Sequence, residues 1–436
     1  MNFYRSLSVF GSSKFLSTAI IFSIGVITAR LLTPEGRGIY ALFFMMVGLG
    51  ANLSNLGLSQ ANTYFLNREK VDRGILIGNT AAFVLASCVG LGLLLLIART
   101  SGFLTSIGFG SNLVWLGLLW LATFATVVDL SFAGLIYGSH LYTLQSKNLI
   151  IQAALLLGAT ILIIPTGSDV GTALALRSGA VALFSVWYVF SFWRHVRPFR
   201  MSVSIPTFVK QIKFGSRNWL QNLIGLLNYR GYILVLGALS GHEAIGLFSV
   251  SMLLVEAVRF FPDTIGTLLL PHLVKLKDDR DADEFAAQTC RLSLLITIPI
   301  ALLLMVFADW IVPFVFGVEY LAAVATAQML LIGAVMGTIY QVMTRYFTSI
   351  AKQKYSIFAA CISLVVAIGS AFVLIPQYSA FGAAIAFSLS ALASAIVMLI
   401  SFLIQTRLPV SSAVFATRND FSNIWNSIKS QIGLRL

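Results

Sequence analysis

Three arginines, Arg177, Arg230 and Arg259, stand deep inside long stretches dominated by aliphatic residues. A cation at the centre of a bilayer costs roughly 2.5 to 3.5 kcal/mol on insertion scales. Each therefore needs compensation from an acid, from backbone carbonyls or from an anionic ligand. A guanidinium stays charged and can grip the oxygens of an anion through two parallel hydrogen bonds, so an anionic ligand is one candidate compensation for Arg230 and Arg259, while a structural ion pair is favoured for Arg177. Arg230 has no acid within a helical turn and lies about 13 Å from the nearer end of its stretch at 1.5 Å per residue. Arg259 has Glu256 three residues before it and Asp263 four after, close to one helical face, so local neutralisation competes with ligand binding there. Lys14 and Arg217 each stand a few residues inside an apolar stretch and read as a basic mouth or as two cations snorkelling to the interface. Snorkelling is the favoured reading of Arg291 and Arg345. Asp129 is the lone deep acid of the first half. It is a candidate for ion coupling, for hydrogen bonding to neighbouring Ser and Thr, or for pairing with Arg177; Glu256 and Asp263 share the coupling or pairing role.

Other chemistries find little footing. Cys88, Cys290 and Cys361 are odd in number and lie within apolar stretches, and the four His, at 140, 195, 242 and 272, are scattered. Neither a disulfide framework nor a metal-ligand spacing can be read, and no phosphate-binding glycine loop or cofactor motif is visible. The longest outer connection, about Arg99 to Ser111, has neither acid nor His, which disfavours an enzyme working on that side. The net charge of +13 is explained by position. With the N-terminus in the cytoplasm, most basic residues fall at or near cytoplasmic ends, which is the positive-inside pattern. Both termini are then cytoplasmic, and the excess calls for no nucleic acid.

The elements that must position these residues are membrane helices. The chain is 58% hydrophobic and only 10% charged, with a mean hydropathy of +0.90. About 20 apolar residues span the hydrocarbon core as helix. Twelve stretches qualify, near 15 to 32, 38 to 66, 74 to 98, 112 to 137, 148 to 165, 170 to 193, 214 to 239, 243 to 270, 286 to 308, 320 to 349, 355 to 375 and 380 to 403. The first is read as a span and not as a secretory signal, because Lys14 breaks its flank and the segment recurs.

The second six stretches echo the first. Phe10-Gly11-Ser12 returns as Phe214-Gly215-Ser216, and Glu35 to Leu42 as Glu243 to Val250. Ile164-Pro165 with Gly171 to Ala175 returns as Ile375-Pro376 with Gly382 to Ala386. An even number of spans per half makes the repeat parallel, with a substrate site between the halves. The expected organisation is an N-terminal six-helix lobe (1–193), an amphipathic cytoplasmic linker (194–213), a C-terminal six-helix lobe (214–403) and a cytoplasmic interfacial tail (404–436). The tail carries Phe421, Ile424, Trp425, Ile428 and Ile432 at helical spacing.

The run Ala29 to Tyr40, followed by Leu56-Gly57-Leu58 and Tyr64-Phe65-Leu66, resembles the opening of bacterial polysaccharide biosynthesis proteins of the Wzx-type oligosaccharide (O-antigen repeat unit) flippase group. These belong to the multidrug/oligosaccharidyl-lipid/polysaccharide exporter superfamily. The stretch from Ile375 to Ala386 resembles the same family's turn between helices 11 and 12. The resemblance implies an all-α inner-membrane protein of about twelve helices, in two pseudo-symmetric six-helix bundles around a central cavity lined by helices 1, 2, 7 and 8. It implies transport, without enzyme activity or cofactor, of an undecaprenyl-pyrophosphate-linked oligosaccharide to the outer leaflet, for lipopolysaccharide O-antigen or exopolysaccharide assembly. Membrane lipids and, as partners, a polysaccharide polymerase and chain-length proteins follow from it. On this resemblance the substrate-binding residues are Arg230, Arg259, Arg217 and Lys14; Tyr229, Tyr232 and Trp219 are either platforms for sugar rings or, like most aromatics of a chain that is 12% aromatic, lipid-facing residues. The alternatives are a cation-coupled drug exporter of the same superfamily and an O-antigen polymerase or ligase.

Overall fold

A computed structural model describes residues 3–409 except 108, 110, 111, 168, 197–199, 274–278 and 351, with the side chains of all these but 3–10, 217, 266–273 and 279. Every long element is a helix. In order they are α1 (Phe3–Leu31), α2 (Pro34–Asn55), α3 (Leu58–Asn67), α4 (Arg73–Thr100), α5 (Phe103–Ser106), α6 (Leu113–Gly138), α7 (Tyr142–Ile161) and α8 (Val170–Val196). Then come α9 (Ile205–Arg230), α10 (Tyr232–Leu239), α11 (His242–Leu273), α12 (Asp279–Val306), α13 (Ala308–Phe316), α14 (Ala323–Ser349) and α15 (Lys354–Thr406).

Among the described residues ten helices are long and apolar enough to cross a membrane, and the bent pair α9–α10, counted as one span, makes eleven. The twelfth is hidden in α15. Its chain reverses at Ser379 (φ 50, ψ −127), and Ser363 Oγ donates to Ser390 O at 3.0 Å across the two halves. The expected all-α architecture of about twelve membrane helices is the one observed. In lipid every backbone polar group needs an internal partner, so the ends are capped by side chains. Thr33 caps α2 ahead of Pro34, Asp72 caps α4, and Asn112 caps α6. The outward side chains are apolar, as at Leu85, Val89, Val186, Val365 and Ile404, which suits a hydrocarbon solvent.

The chain groups into two compact units, residues 1–250 and 251–436. In the first, α6 is central and packs on α2, α3, α4 and α8, around Phe132, Leu135, Phe184, Tyr188 and Phe192. Small residues allow the close approaches that drive helix association in lipid. A Cβ on Gly134 would fall 2.0 Å from Ser59 O. In the second unit α14 packs on both halves of α15 and on α12, around Met343, Tyr346, Phe347, Met398 and Phe402.

The internal repeat has a structural counterpart within the first unit. A Cβ on Gly38 would lie 1.7 Å from His242 O, and one on Gly246 would lie 1.9 Å from Pro34 O. The sequence echo equates Pro34 with His242 and Gly38 with Gly246. The contact is therefore reciprocal, each helix start resting on the other's glycine.

Two segments depart from the sequence reading. The amphipathic run in 194–213 is not a separate surface helix: α8 continues to Val196, and α9 starts at Ile205 and runs unbroken to Arg230. Pro206 causes no interruption because it sits in the first turn, where its missing N–H has no helical partner to lose. The predicted second stretch, 38 to 66, is broken at Leu56 (φ 47) and Gly57 (φ 75) into α2 and α3. The interfacial helix expected in the tail lies outside the described residues.

Candidate functional site

The proposed site residues ride on α1, α9 and α11. Lys14 is exposed on α1, where Thr18 Oγ1 donates to its backbone carbonyl at 2.8 Å. Arg217 lies on α9, and its side chain is outside the described set. Arg230 is the last residue of α9. It is exposed, its guanidinium 6.0 Å from the Tyr229 ring centroid, where the chain turns by 50° into α10. A cation there also meets the negative end of the α9 dipole.

Arg259 is half-buried on α11 and is held by a partner that sequence reasoning missed. With its amide oriented oxygen-first, Gln341 of α14 accepts from Arg259 Nη2 (2.6 Å) and Nε (2.9 Å). Glu256 and Asp263 are half-buried about one turn to either side.

Arg177 does not pair with Asp129. It donates through Nη1 to the Tyr40 hydroxyl at 2.7 Å and lies 4.2 Å from the Phe44 ring centroid. The reason is depth along the bundle. Both α6 and α8 run the same way from their capped starts, and Asp129, sixteen residues into α6, is level with Ser185 and not with Arg177. Asp129 Oδ1 is buried without a hydrogen-bond partner, and Ser185 is the polar side chain beside it. Arg37, on the same Tyr40 ring as Arg177 (5.4 Å), is only 7% exposed and donates to Thr28 Oγ1 at 2.6 Å. The spacing Arg37-x-x-Tyr40 carries that proximity in the sequence, but nothing there points to Arg177 as the third member.

The aromatic candidates separate. Tyr232 is 2% exposed and packs near Phe248, so it offers no face to a sugar. Trp219 is tied through Nε1 to Asn52 O at 2.7 Å. Tyr229 remains half-buried beside Arg230. Among the described residues no three His, Cys, Asp or Glu side chains converge as metal ligands. Outside the spans, Asp169 caps α8 by accepting from Thr172 N (2.7 Å) and Oγ1 (3.0 Å). Those two bonds hold its carboxyl below the usual carboxylate range.

The family described as polysaccharide biosynthesis protein matches residues 27–325. The chain belongs to that family. A second family, the lipid II flippase MurJ, matches residues 249–418. Among solved structures, a lipid II flippase MurJ in an inward closed conformation superposes with a TM-score of 0.76 at 14% identity, covering 92% of this chain and 88% of that one. An inward-facing multidrug resistance MATE transporter of the MOP superfamily gives 0.69 at 14% identity, covering 90% and 94%. A MOP superfamily transporter from Pyrococcus furiosus gives 0.56 at 12% identity, covering 92% and 95%. No curated protein matches. This member of the polysaccharide biosynthesis family thus has the fold of the MOP transporters and is a multi-pass membrane protein.

Proposed function

We propose that this protein is a flippase that moves an undecaprenyl-pyrophosphate-linked oligosaccharide from the cytoplasmic to the outer leaflet of a bacterial inner membrane, by alternating access, for surface polysaccharide assembly. The family match supports the polysaccharide pathway, and the second match supports a lipid-linked cargo. The observation that carries the reading is Arg230, an exposed cation at the internal break of the seventh crossing, a placement that suits an anionic cargo. Lys14 and Arg217 form the basic mouth, and Arg230 and Arg259 hold the pyrophosphate in transit. The lobes are 1–193 and 214–403, with both termini cytoplasmic, as the basic asymmetry requires.

The test is a deletion strain, with redundant flippases removed, in which lipid-linked oligosaccharide should accumulate in the inner leaflet and surface polysaccharide should be lost. Normal surface polysaccharide with no trapped intermediate would refute the reading. For the site, Arg230→Gln should cripple transport at matched membrane expression and Arg230→Lys should restore it only partly, since an ammonium offers a point charge. Full transport by Arg230→Gln would make Arg230 structural.

One observation favours a second reading, a cation-coupled exporter: the partnerless buried oxygen of Asp129, which a proton or cation would satisfy. Asp129→Asn should then abolish dependence on the ion gradient, and unchanged coupling would remove this reading.

A further inference from the structure

Although the sequence echo makes α9 the first helix of the second repeat, its opening turns are fastened to helices of the first. The fastening is a ladder of three buried amides. Gln211 of α9, with no exposed surface, donates through Nε2 to Asn62 Oδ1 of α3 at 2.7 Å. Its Oε1 accepts from Asn79 Nδ2 of α4 at 2.9 Å. Asn62 and Asn79 are themselves 0% and 1% exposed. The ladder continues at both ends. Asn62 Nδ2 donates to Thr80 Oγ1 at 2.9 Å, and Asn79 Oδ1 accepts from Ser204 N at 2.9 Å.

Backbone contacts close the same seam. A Cβ on Gly57 would lie 2.1 Å from Gly215 O, one on Gly74 would lie 1.9 Å from Arg200 O, and one on Gly78 would lie 2.1 Å from Ser202 O. Phe214 stacks on Tyr64 with centroids 4.2 Å apart. Among the described residues no charged side chain takes part in the ladder's bonds.

Such a seam differs from an apolar one in how it opens. Interhelical hydrogen bonds in membranes are individually modest, and amides released near an interface find water or head groups. A closed ladder nonetheless enforces one register, because any other leaves buried amides unsatisfied. The seam is thus tight when shut, specific in alignment and inexpensive to part. It also lies at the end of the bundle that the basic asymmetry assigns to the cytoplasm, on the helix that carries Arg217 and Arg230 farther along.

We propose that the seam between α9 and the α3–α4 pair is the cytoplasmic gate of the transporter and that Gln211 is its latch, a positioning residue that parts from Asn62 and Asn79 to let a lipid-linked anionic head group reach the cations of α9. This rests on the transport function proposed above. The three native cysteines are replaced, and Tyr64→Cys serves as a reporter in membrane vesicles, read by an impermeant maleimide applied from the cytoplasmic side. Adding Gln211→Leu should raise the labelling rate about tenfold, because two amides lose their partner while α9 keeps its length and packing. A rate equal to that of the reporter alone overturns the proposal.

The second arm leaves the ladder intact. Cysteines at both Tyr64 and Phe214, joined by a cleavable bifunctional reagent, should stop transport of lipid-linked oligosaccharide, and cleavage should restore it. Joined protein that transports at the unjoined rate overturns the gate. The labelling arm needs no cargo. Raised labelling in a protein that moves no lipid-linked oligosaccharide would therefore sustain the gate and sink the proposed function.

Discussion

Gly38→Ala should separate the starts of α2 and α11, and the size of the effect follows from the geometry. The new methyl carbon would sit 1.7 Å from His242 O, and real Cβ contacts essentially never fall below 3.0 Å. The two backbones must therefore part by at least 1.3 Å (3.0 − 1.7). The obstacle is a helix backbone and not a flexible side chain, so no rotamer change relieves it. Overpacking of this kind costs about 1–3 kcal/mol, and separation also forfeits dispersion contacts along the crossing. Gly246→Ala needs 1.1 Å (3.0 − 1.9) against Pro34 O. Because the contact is reciprocal, one separation relieves both clashes, and the double variant should be barely less stable than Gly38→Ala alone. Independent sites would instead add. The assay is the thermal unfolding midpoint of purified protein in one detergent, with Gly48→Ala and Gly90→Ala as controls, since a Cβ at either meets nothing within 4 Å. A drop of several degrees is expected for Gly38→Ala, at about 2–4 °C per kcal/mol for a unit of this size. Equal midpoints for Gly38→Ala and Gly48→Ala, or an additive double variant, would refute the reciprocal crossing.

Other outcomes follow from single contacts. Tyr40→Phe should cost about 1.5–3 kcal/mol, since it takes the acceptor from a charged donor on Arg177, and a double-mutant cycle with Arg177→Gln should show strong coupling in thermal denaturation. Gln341→Leu should destabilise by a similar amount through Arg259, while Gln341→Glu keeps the acceptor; unfolding midpoints that do not separate the two would argue against that pair. Asp169→Ala should cost about 1 kcal/mol at neutral pH as a lost helix cap. Its folded pKa is depressed, so the charged carboxyl contributes fully above its unfolded value near 3.8 and its contribution is lost as pH falls through the folded value. Asp169→Asn should keep the cap and remove that acid-limb dependence in a stability–pH series.

Hydropathy alone located the membrane helices, because an apolar run of about 20 residues has one stable arrangement in lipid and that arrangement is local. The repeat was also legible. Its echo of Glu35 to Leu42 in Glu243 to Val250 became a physical crossing at Gly38 and Gly246. Segment ends were less so: the expected linker 194–213 ends inside α9, which already starts at Ile205 with Pro206 tolerated in its first turn.

The side-chain partnerships needed the tertiary structure. Pairing with Arg177 was one of three readings open for Asp129, but the register of α6 against α8 puts the two charges at different depths. Nothing near Arg259 in the chain names Gln341, eighty-two positions away. Nothing in the chain ties Asn62, Asn79 and Gln211 to one another. The sequence by itself determined which segments enter the membrane and which cations go with them, because these depend on transfer free energy and local periodicity. Only the tertiary structure decided which polar groups satisfy one another, because a buried hydrogen bond requires atoms about 3 Å apart and that distance is set by helix rotation and crossing, to which hydropathy is blind.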